Sequence, residues 1–234
     1  MIEITPDQLV YWTSGGITLN ATIVWTWVVM ALLVAGSWAL TRTIVDGDTP
    51  SRGQLVLEAV VSLMLDQIKD IGGRAPAPLL PFCGTLFLFI VVSNALSIVP
   101  GYHAPTSSLS TTTALALCVF IAVPVFGIRH QGLRGYLRHY ASPSVFMVPL
   151  TIIGDVSRTV ALALRLFGNM MSGVVMAAIF VSLAPLFFPA VLQAFGLVIG
   201  VIQAYIFSVL ATVYIASAMQ AQAGAATDNR RGHE

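Results

Sequence analysis

The chain has 234 residues, of which 57% are hydrophobic and only 9% are charged, and its formal net charge is +1. Soluble globular domains carry about 25% charged residues, so this composition excludes a soluble protein and indicates an all-α, multi-pass membrane protein. We expect no nucleic-acid partner. Cys83 and Cys118 lie in apolar segments without another Cys or a His at metal-ligand spacing, which predicts two buried thiols, with neither a disulfide framework nor a metal site.

The N-terminal part of the chain predicts one crossing and one surface helix. Residues 1–16 contain no Lys or Arg and lack the basic start of a secretory signal, so we expect a retained external arm. Residues 17–40 form an apolar run long enough to cross about 30 Å of hydrocarbon. In residues 54–72, Glu58 and Asp66 interrupt an apolar pattern, which is typical of an amphipathic helix lying along the membrane interface.

Two ordinary crossings follow, and the basic residues around them predict the orientation. Residues 79–99 and 111–128 have the length of single spans. The segment 129–143 is predicted as a basic cytoplasmic loop and residues 223–234 as a cytoplasmic tail. Every Lys and Arg outside the spans falls on that side, whereas the loop 101–110 on the other side contains none. The positive-inside rule therefore places the C-terminus in the cytoplasm and the N-terminus outside.

The last two crossings are longer than a bilayer requires. Residues 144–184 and 190–222 each lack an internal cluster of turn residues, and Pro185 and Pro189 mark a hairpin between them. A helix of about 40 residues is about 60 Å long, so each must tilt, kink or protrude. An alternative is a break at Gly168, which would make a short re-entrant pair.

The fourth crossing carries a polar stripe. At 100° per residue, Asp155, Arg158, Arg165, Asn169 and Ser172 fall on one side of an otherwise apolar helix. Arg165 lies at mid-bilayer depth, where a charged side chain costs at least about 2.5 to 3.5 kcal/mol, and no acidic residue lies within one turn of it. Two interpretations of Asp155 remain open. It forms an intrahelical ion pair with Arg158, or it helps to hydrate a cytoplasmic access path.

The fifth crossing predicts a matching surface. Gly196, Gly200, Gln203 and Phe207 recur at helical spacing. The small residues suit either close helix packing or an ion path. The amide of Gln203 needs a hydrogen-bond partner, and the guanidinium of Arg165 offers five donors.

These motifs resemble a known family. The run Ala-Leu-Arg165-Leu-Phe-Gly-Asn169-Met is followed by Gln203-Ala-Tyr-Ile-Phe and preceded by Asn94-Ala-Leu-Ser-Ile-Val-Pro and by a hydroxyl-rich run from Pro105. Together they are similar to subunit a of F-type ATP synthases, over roughly residues 79–219.

The resemblance implies a role for each matched residue. The two long helices would lie tilted against a rotating ring of c subunits, each bearing a carboxylate, with two half-channels leading to it. Arg165 would be the essential barrier that meets each ionised carboxylate, because an arginine cannot deprotonate and relay protons. Gln203 would orient the guanidinium, while Asn169 and Asn94 would line aqueous paths, with Ser172 as a further polar neighbour.

The resemblance also implies partners. These are the c-ring, peripheral-stalk b subunits, a soluble ATPase sector and membrane lipids, in a bacterial or archaeal plasma membrane. The ion would be H+ or Na+, and no cofactor is expected. ATP chemistry would belong to the partner subunits, because the chain has no Gly-rich phosphate loop. The run Ser-Arg158-Thr is similar to the compact N-type branch, several members of which are thought to move sodium.

The sequence departs from the family pattern in the outer half-channel. Val174, Gly196 and Ser97 stand where many proton-translocating members carry titratable residues. His103 and the hydroxyl-rich residues 106–113 line an entrance on one interpretation and form a solvated loop on the other.

A stand-alone transporter or channel is the alternative function. Such a protein would use a buried arginine to bind an anionic substrate. It would be expected to show inverted repeats, and the two halves of this sequence show no internal symmetry.

Overall fold

A computed structural model describes residues 10–14, 17–42, 52–72, 79–99, 101–141, 147–183 and 188–220. Within these residues two strands precede six helices. They are β1 (Val10–Ser14), β2 (Ile17–Asn20), α1 (Ala21–Arg42), α2 (Arg52–Gly72), α3 (Leu79–Ala95), α4 (Leu109–Ala141), α5 (Met147–Leu183) and α6 (Phe188–Gln220). All of these helices except α2 contain a stretch long and apolar enough to cross a membrane. The predicted all-α membrane fold with five spans is confirmed.

A short antiparallel hairpin stands before the first spanning helix. β1 pairs with β2 so that Trp12 lies opposite Leu19 and Ser14 opposite Ile17. The sequence predicts a crossing from residue 17, but Ile17–Asn20 is strand and α1 begins at Ala21. The order apolar, polar, apolar, polar in these four residues is the period of a strand. The rest of the predicted external arm, like the tail 223–234, lies outside the described residues.

The predicted amphipathic helix is present as α2. Met64 and Ile68, four residues apart, are each only 2% exposed, whereas Leu55 and Leu63 are about half exposed. This face packs α2 against α3 and α6. Residues four apart lie on the same side of a helix, so one stripe holds α2 on the bundle. Its position at the membrane interface stays a prediction.

The third span continues into the basic segment as one bent helix. The sequence predicts a loop at 129–143, but α4 runs on to Ala141. Gly132, with φ 74° and ψ 161°, interrupts the helical geometry just after the apolar part ends. Only glycine adopts such a backbone at little cost. The basic segment is therefore largely helical up to Ala141 and not an irregular loop. Its position in the cytoplasm stays a prediction.

Both long helices are uninterrupted. α5 has 37 residues and passes through Gly168 and Asn169 without a break, which rules out the re-entrant pair. α6 has 33 residues and begins at Phe188–Pro189, where proline fits the first turn because its missing N–H is not needed there.

The core lies where α3, α4, α5 and α6 meet. α3 packs mainly on α6, and α4 mainly on α5. The most deeply buried apolar side chains include Ile90, Leu166, Phe207, Ala211 and Ile215. Cys83 is buried as predicted, but Cys118 is exposed, so the prediction of two buried thiols is half wrong.

Candidate functional site

α5 has a packed face and an exposed apolar face. Leu162 and Leu166 point into the core, whereas Leu150, Ile153 and Leu164 are more than half exposed. α6 repeats this arrangement, since Phe207 is buried and residues such as Phe195 and Val198 are more than half exposed. A soluble protein would rarely leave so large an apolar surface uncovered. In a membrane protein such a face contacts lipid or another subunit.

Arg165 is exposed at the edge of this apolar face. Its neighbour Leu166 is fully buried and Leu164 is exposed, so the guanidinium emerges between the packed and the uncovered sides of α5. Among the described residues, no hydrogen bond or ion pair reaches Arg165. A cation without a counter-charge in apolar surroundings is costly. The exposed guanidinium is therefore open to an acidic group that the described residues do not supply.

One turn further along α5, a side-chain hydrogen bond joins the two long helices. Asn169 Nδ2 donates to Gln203 Oε1 at 2.6 Å. Gln203 is buried, at 2% exposed, and its Nε2 has no hydrogen-bond partner among the described residues. The sequence predicts that Gln203 contacts Arg165. The structure brings Asn169 to it instead, because Asn169 lies about 40° around the helix from Arg165 on the packed side.

Asn94 joins three parts of the bundle. From the last turn of α3, its Nδ2 donates to the backbone carbonyl of Gly200 in α6 at 3.1 Å. Its Oδ1 accepts from Thr106 Oγ1, in the segment before α4, at 2.9 Å. Asn94 is 3% exposed and Thr106 fully buried. Both ends of the amide are satisfied, as a buried polar group requires.

Gly200 makes this contact possible. A Cβ at this position would lie 2.9 Å from atoms of the Asn94 side chain, closer than nonbonded carbon atoms approach. The glycine therefore lets α3 and α6 come together. Gly196, one turn earlier, is exposed and has open space beside it, so only Gly200, Gln203 and Phe207 of the predicted stripe face the interior.

Half of the hydroxyl-rich run before and in α4 is buried. Thr106, Ser107, Ser108 and Thr112 are all at most 3% exposed. Ser108 precedes the helix, and its Oγ accepts from the backbone N–H of Ser110 at 3.2 Å, as an N-cap residue does. The interpretation of this run as a solvated loop is therefore wrong for its four buried members, although His103, Ser110 and Thr113 are exposed. This cluster adjoins Asn94 and lines the interior between α3 and α5.

Tyr102 belongs to the same connecting segment. Its ring meets that of Trp25 edge to face, with centroids 4.8 Å apart. Burial raises the pKa of Tyr102 above its ordinary value, because an apolar surrounding disfavours the phenolate. Tyr102 therefore stays protonated at physiological pH, and it ties α1 to this end of the bundle.

At the start of α5 a second polar region borders a cavity of about 410 Å³ between α4, α5 and α6. Asp155 Oδ1 lies 3.6 Å from Arg158 Nη1, which supports the intrahelical ion pair. Arg158 also lies 5.8 Å from the ring centre of Tyr214. Both charged residues, Thr159 and Tyr214 line the cavity, so the ion pair and an access path are compatible.

Some of the predicted residues are not brought into these groups. Ser172 is exposed, and its hydroxyl bonds the carbonyl of Asn169 on its own helix at 3.0 Å. Among the described residues, His103 lies in none of these groups either. Sequence reasoning missed Tyr214 and the buried Ser93. Only Ser93 had a usable signal, since it is a hydroxyl residue next to Asn94 within an apolar span.

Known proteins are similar to this chain over nearly its whole length. The family model described as ATP synthase A chain matches residues 23–216. The chain is 54% identical to ATP synthase subunit a 2 of Acaryochloris marina over 233 residues, which is 99% of this chain and 100% of that protein. The chain belongs to the ATP synthase A chain family. It is also 50% identical to ATP synthase subunit a of Nitrosospira multiformis, over 97% of this chain and 92% of the relative.

Membership in the ATP synthase A chain family agrees with the resemblance found in the motifs. A third relative, ATP synthase subunit a 1 of Crocosphaera subtropica, is 53% identical over 221 residues, covering 94% of this chain and 96% of its own length. With its apolar helices, the chain is an integral membrane protein of this family.

Proposed function

We propose that this chain is the stator subunit that carries ions to and from a ring of c subunits in a rotary ATP synthase. The ring would lie against the exposed apolar faces of α5 and α6. Arg165 carries the proposal, because it stands at the edge of that face without a counter-charge among the described residues. A ring carboxylate passing this point would supply the missing partner.

The chemistry of arginine suits this role. A guanidinium remains protonated at any physiological pH, so it attracts an ionised carboxylate but cannot pass a proton along. An ionised ring carboxylate is stable beside Arg165, whereas a neutralised one can turn towards lipid. Ion flow would then drive rotation in one direction and ATP hydrolysis on partner subunits would drive the reverse.

The buried amides and hydroxyls support an outer path to this point. Thr106 and Asn94 are joined by a hydrogen bond, and Asn94 reaches α6 at Gly200, one turn from Gln203. Gln203 and Asn169 continue the polar line to the turn of α5 that follows Arg165. Amides and hydroxyls do not titrate near neutral pH, so they would hold water rather than accept the proton themselves.

The cavity beside Asp155 supports an inner path. It lies at the start of α5, ten residues or about 15 Å before Arg165. Asp155 and Arg158 would hydrate it, and the positive-inside rule places it on the cytoplasmic side. The two paths would thus open on opposite sides of the membrane and meet the ring on either side of the arginine.

ATP-driven ion uptake by proteoliposomes tests the proposal. The purified complex would be reconstituted with the wild-type chain or with Arg165→Ala. We expect the uptake rate of the variant to be at least about tenfold lower, which corresponds to a rise in the activation free energy of about 1.4 kcal/mol or more. Arg129→Ala is the matched control, since Arg129 is also exposed but lies where the apolar span of α4 ends. It should retain wild-type uptake.

Two outcomes would contradict the proposal. Normal uptake by an assembled Arg165→Ala complex would remove the central role of the arginine. An ATP-independent anion flux through the chain alone would favour a stand-alone transporter. Running the assay in sodium-free and sodium-containing buffer also identifies the ion, because uptake that requires Na+ excludes H+ as the sole coupling ion.

A further inference from the structure

A groove of about 640 Å³ lies between α1 and α3, and all of its lining residues belong to these two helices. Volumes of this size are typical of sites for small organic ligands. Leu33 and Val34 of α1 and Leu88 of α3 form its apolar part. Val34 is 70% exposed and Trp38 60% exposed, so no other element of the described chain covers the α1 wall.

The groove is apolar at one end and polar at the other. Along α1, Leu33 and Val34 come first, Ser37 and Trp38 follow, and Thr41 and Arg42 stand at the helix end. From Leu33 to Arg42 the helix rises about 13 Å. The groove therefore has the same polarity as an amphiphile, with its charge at the level where a spanning helix leaves the hydrocarbon.

Arg42 provides the charge at the polar end. Its guanidinium carbon lies 3.9 Å from the ring centre of Trp38, a cation–π contact that holds the long side chain over the groove. Among the described residues Arg42 forms no ion pair, and it is the only charged residue that lines the groove. A guanidinium with free donors binds phosphate oxygens well, often through two parallel hydrogen bonds.

We infer that this groove is a binding site for an anionic phospholipid. The phosphate accepts hydrogen bonds from Arg42, and one acyl chain lies along Leu33, Val34 and Leu88. The Thr41 hydroxyl donates to the backbone carbonyl of Ser37, so Arg42 is the donor on which the site depends. Trp38 forms the wall between the two parts, as an aromatic ring at the interface commonly does. Basic pockets between spanning helices recognise anionic head groups in this way. A neutral lipid offers no net charge to Arg42, so the site selects by head group.

Quenching of Trp38 fluorescence by lipids with brominated acyl chains tests this inference. The assembled complex would be reconstituted with brominated phosphatidylglycerol or brominated phosphatidylcholine at equal mole fraction, and subtracting the emission of a Trp38→Phe complex isolates the signal of Trp38. We expect quenching by the anionic lipid to exceed that by the zwitterionic lipid about threefold or more at low mole fraction.

Two variants decide whether Arg42 gives the selectivity. Arg42→Gln should bring the two lipids to equal quenching, whereas Arg129→Gln, which removes an arginine outside the groove, should leave the preference unchanged. Equal quenching in the wild type would overturn the inference, and so would a preference that survives in Arg42→Gln. Absence of quenching by either lipid would overturn it as well, since it would mean that a protein segment covers the groove.

Discussion

The surroundings of Arg165 and of Asn94 differ in whether the polar side chain finds a partner within the chain. At Asn94 both ends of the side-chain amide have a partner within the chain, and both Asn94 and Thr106 are buried. At Arg165 a cation within the long apolar stretch of α5 is exposed, and it has no ion pair or hydrogen bond among the described residues. The first arrangement stabilises this chain alone, whereas the second would be stabilised by the negative charge of a ring carboxylate, as we propose.

The difference separates what the fold needs from what the complex needs. Neutral amides can be buried if their hydrogen bonds are made, so they can fasten helices without external help. A lone guanidinium facing an apolar surface gains nothing for folding. Substitutions in the two regions should therefore affect different observables, coupling at Arg165 and stability at Asn94.

Arg165→Lys should have the largest effect and should act on coupling alone. An ammonium keeps the charge but lacks the planar fork and can deprotonate in apolar surroundings. We expect ATP-driven ion uptake to fall about tenfold or more while the complex remains assembled, as judged by subunit composition. Coupling close to wild type would show that charge alone is sufficient at this position.

Asn94→Leu should act mainly on stability. The variant leaves the buried hydroxyl of Thr106 without its acceptor, which costs about 1 to 3 kcal/mol. Heating the purified complex with a thiol-reactive dye gives the measurement, because Cys83 is fully buried. Cys118→Ser removes the exposed thiol from the background. Ser172→Ala serves as the control, since its hydroxyl bonds only its own exposed helix face. An equal shift in both variants would contradict the fastening role of Asn94.

Gly200→Ala and Gly196→Ala form a matched pair on α6. At Gly200 the new Cβ would meet Asn94 at 2.9 Å, and overpacking of this kind costs about 1 to 3 kcal/mol. At Gly196 nothing stands within 4 Å, so the better helix propensity of alanine should leave stability unchanged or raise it by up to about 1 kcal/mol. The same dye assay compares them. Equal unfolding midpoints in the two variants would mean that α3 and α6 can move apart to accommodate the new Cβ.

Gln203→Leu should have the smallest effect on coupling. It tests whether Gln203 acts mainly on coupling, as Arg165 does, or mainly on stability, as Asn94 does. Asn169 loses its acceptor but is exposed and can bond water, so the loss is that of one hydrogen bond, about 0.5 to 1.5 kcal/mol. We expect uptake to fall about two- to tenfold, less than in Arg165→Ala. A complete loss of uptake would show that Gln203 is as important for coupling as Arg165, although the two residues are not in contact in the described structure.

The sequence predicts the spans well because hydropathy depends on local composition. Uninterrupted apolar runs predict α3 to α6, each of which contains a stretch long and apolar enough to cross a membrane. The functional role that the polar stripe predicts for α5 stays a prediction. The hairpin before Ala21 was missed because its alternation is short and adjoins a long apolar run. The helical part of α4 beyond Arg129 was missed because basic surface helices carry no hydropathy signal.

The partners of the site residues could not be derived from the sequence. Whether Gln203 meets Arg165 or Asn169 depends on the rotation of α5 against α6, which many side chains decide together. The burial of Thr106 and Ser108 has the same origin. A run of hydroxyl residues looks alike whether it faces water or closes a packed corner, and only the positions of α3 and α5 distinguish the two.

The length of α5 sets how far its surface extends sideways. Its apolar stretch of 33 residues is about 50 Å long, against about 30 Å of hydrocarbon. If all of it is to stay in lipid, the helix must lean so far that its ends lie about 40 Å apart in the membrane plane. Because a helix is about 10 Å wide, about four helices that stand upright in the membrane would fit side by side along α5. On the proposed arrangement, several ring subunits would lie beside this one helix at the same time. Because identical subunits of a ring carry their carboxylates at one depth, the tilted helix would cross that depth at a single place.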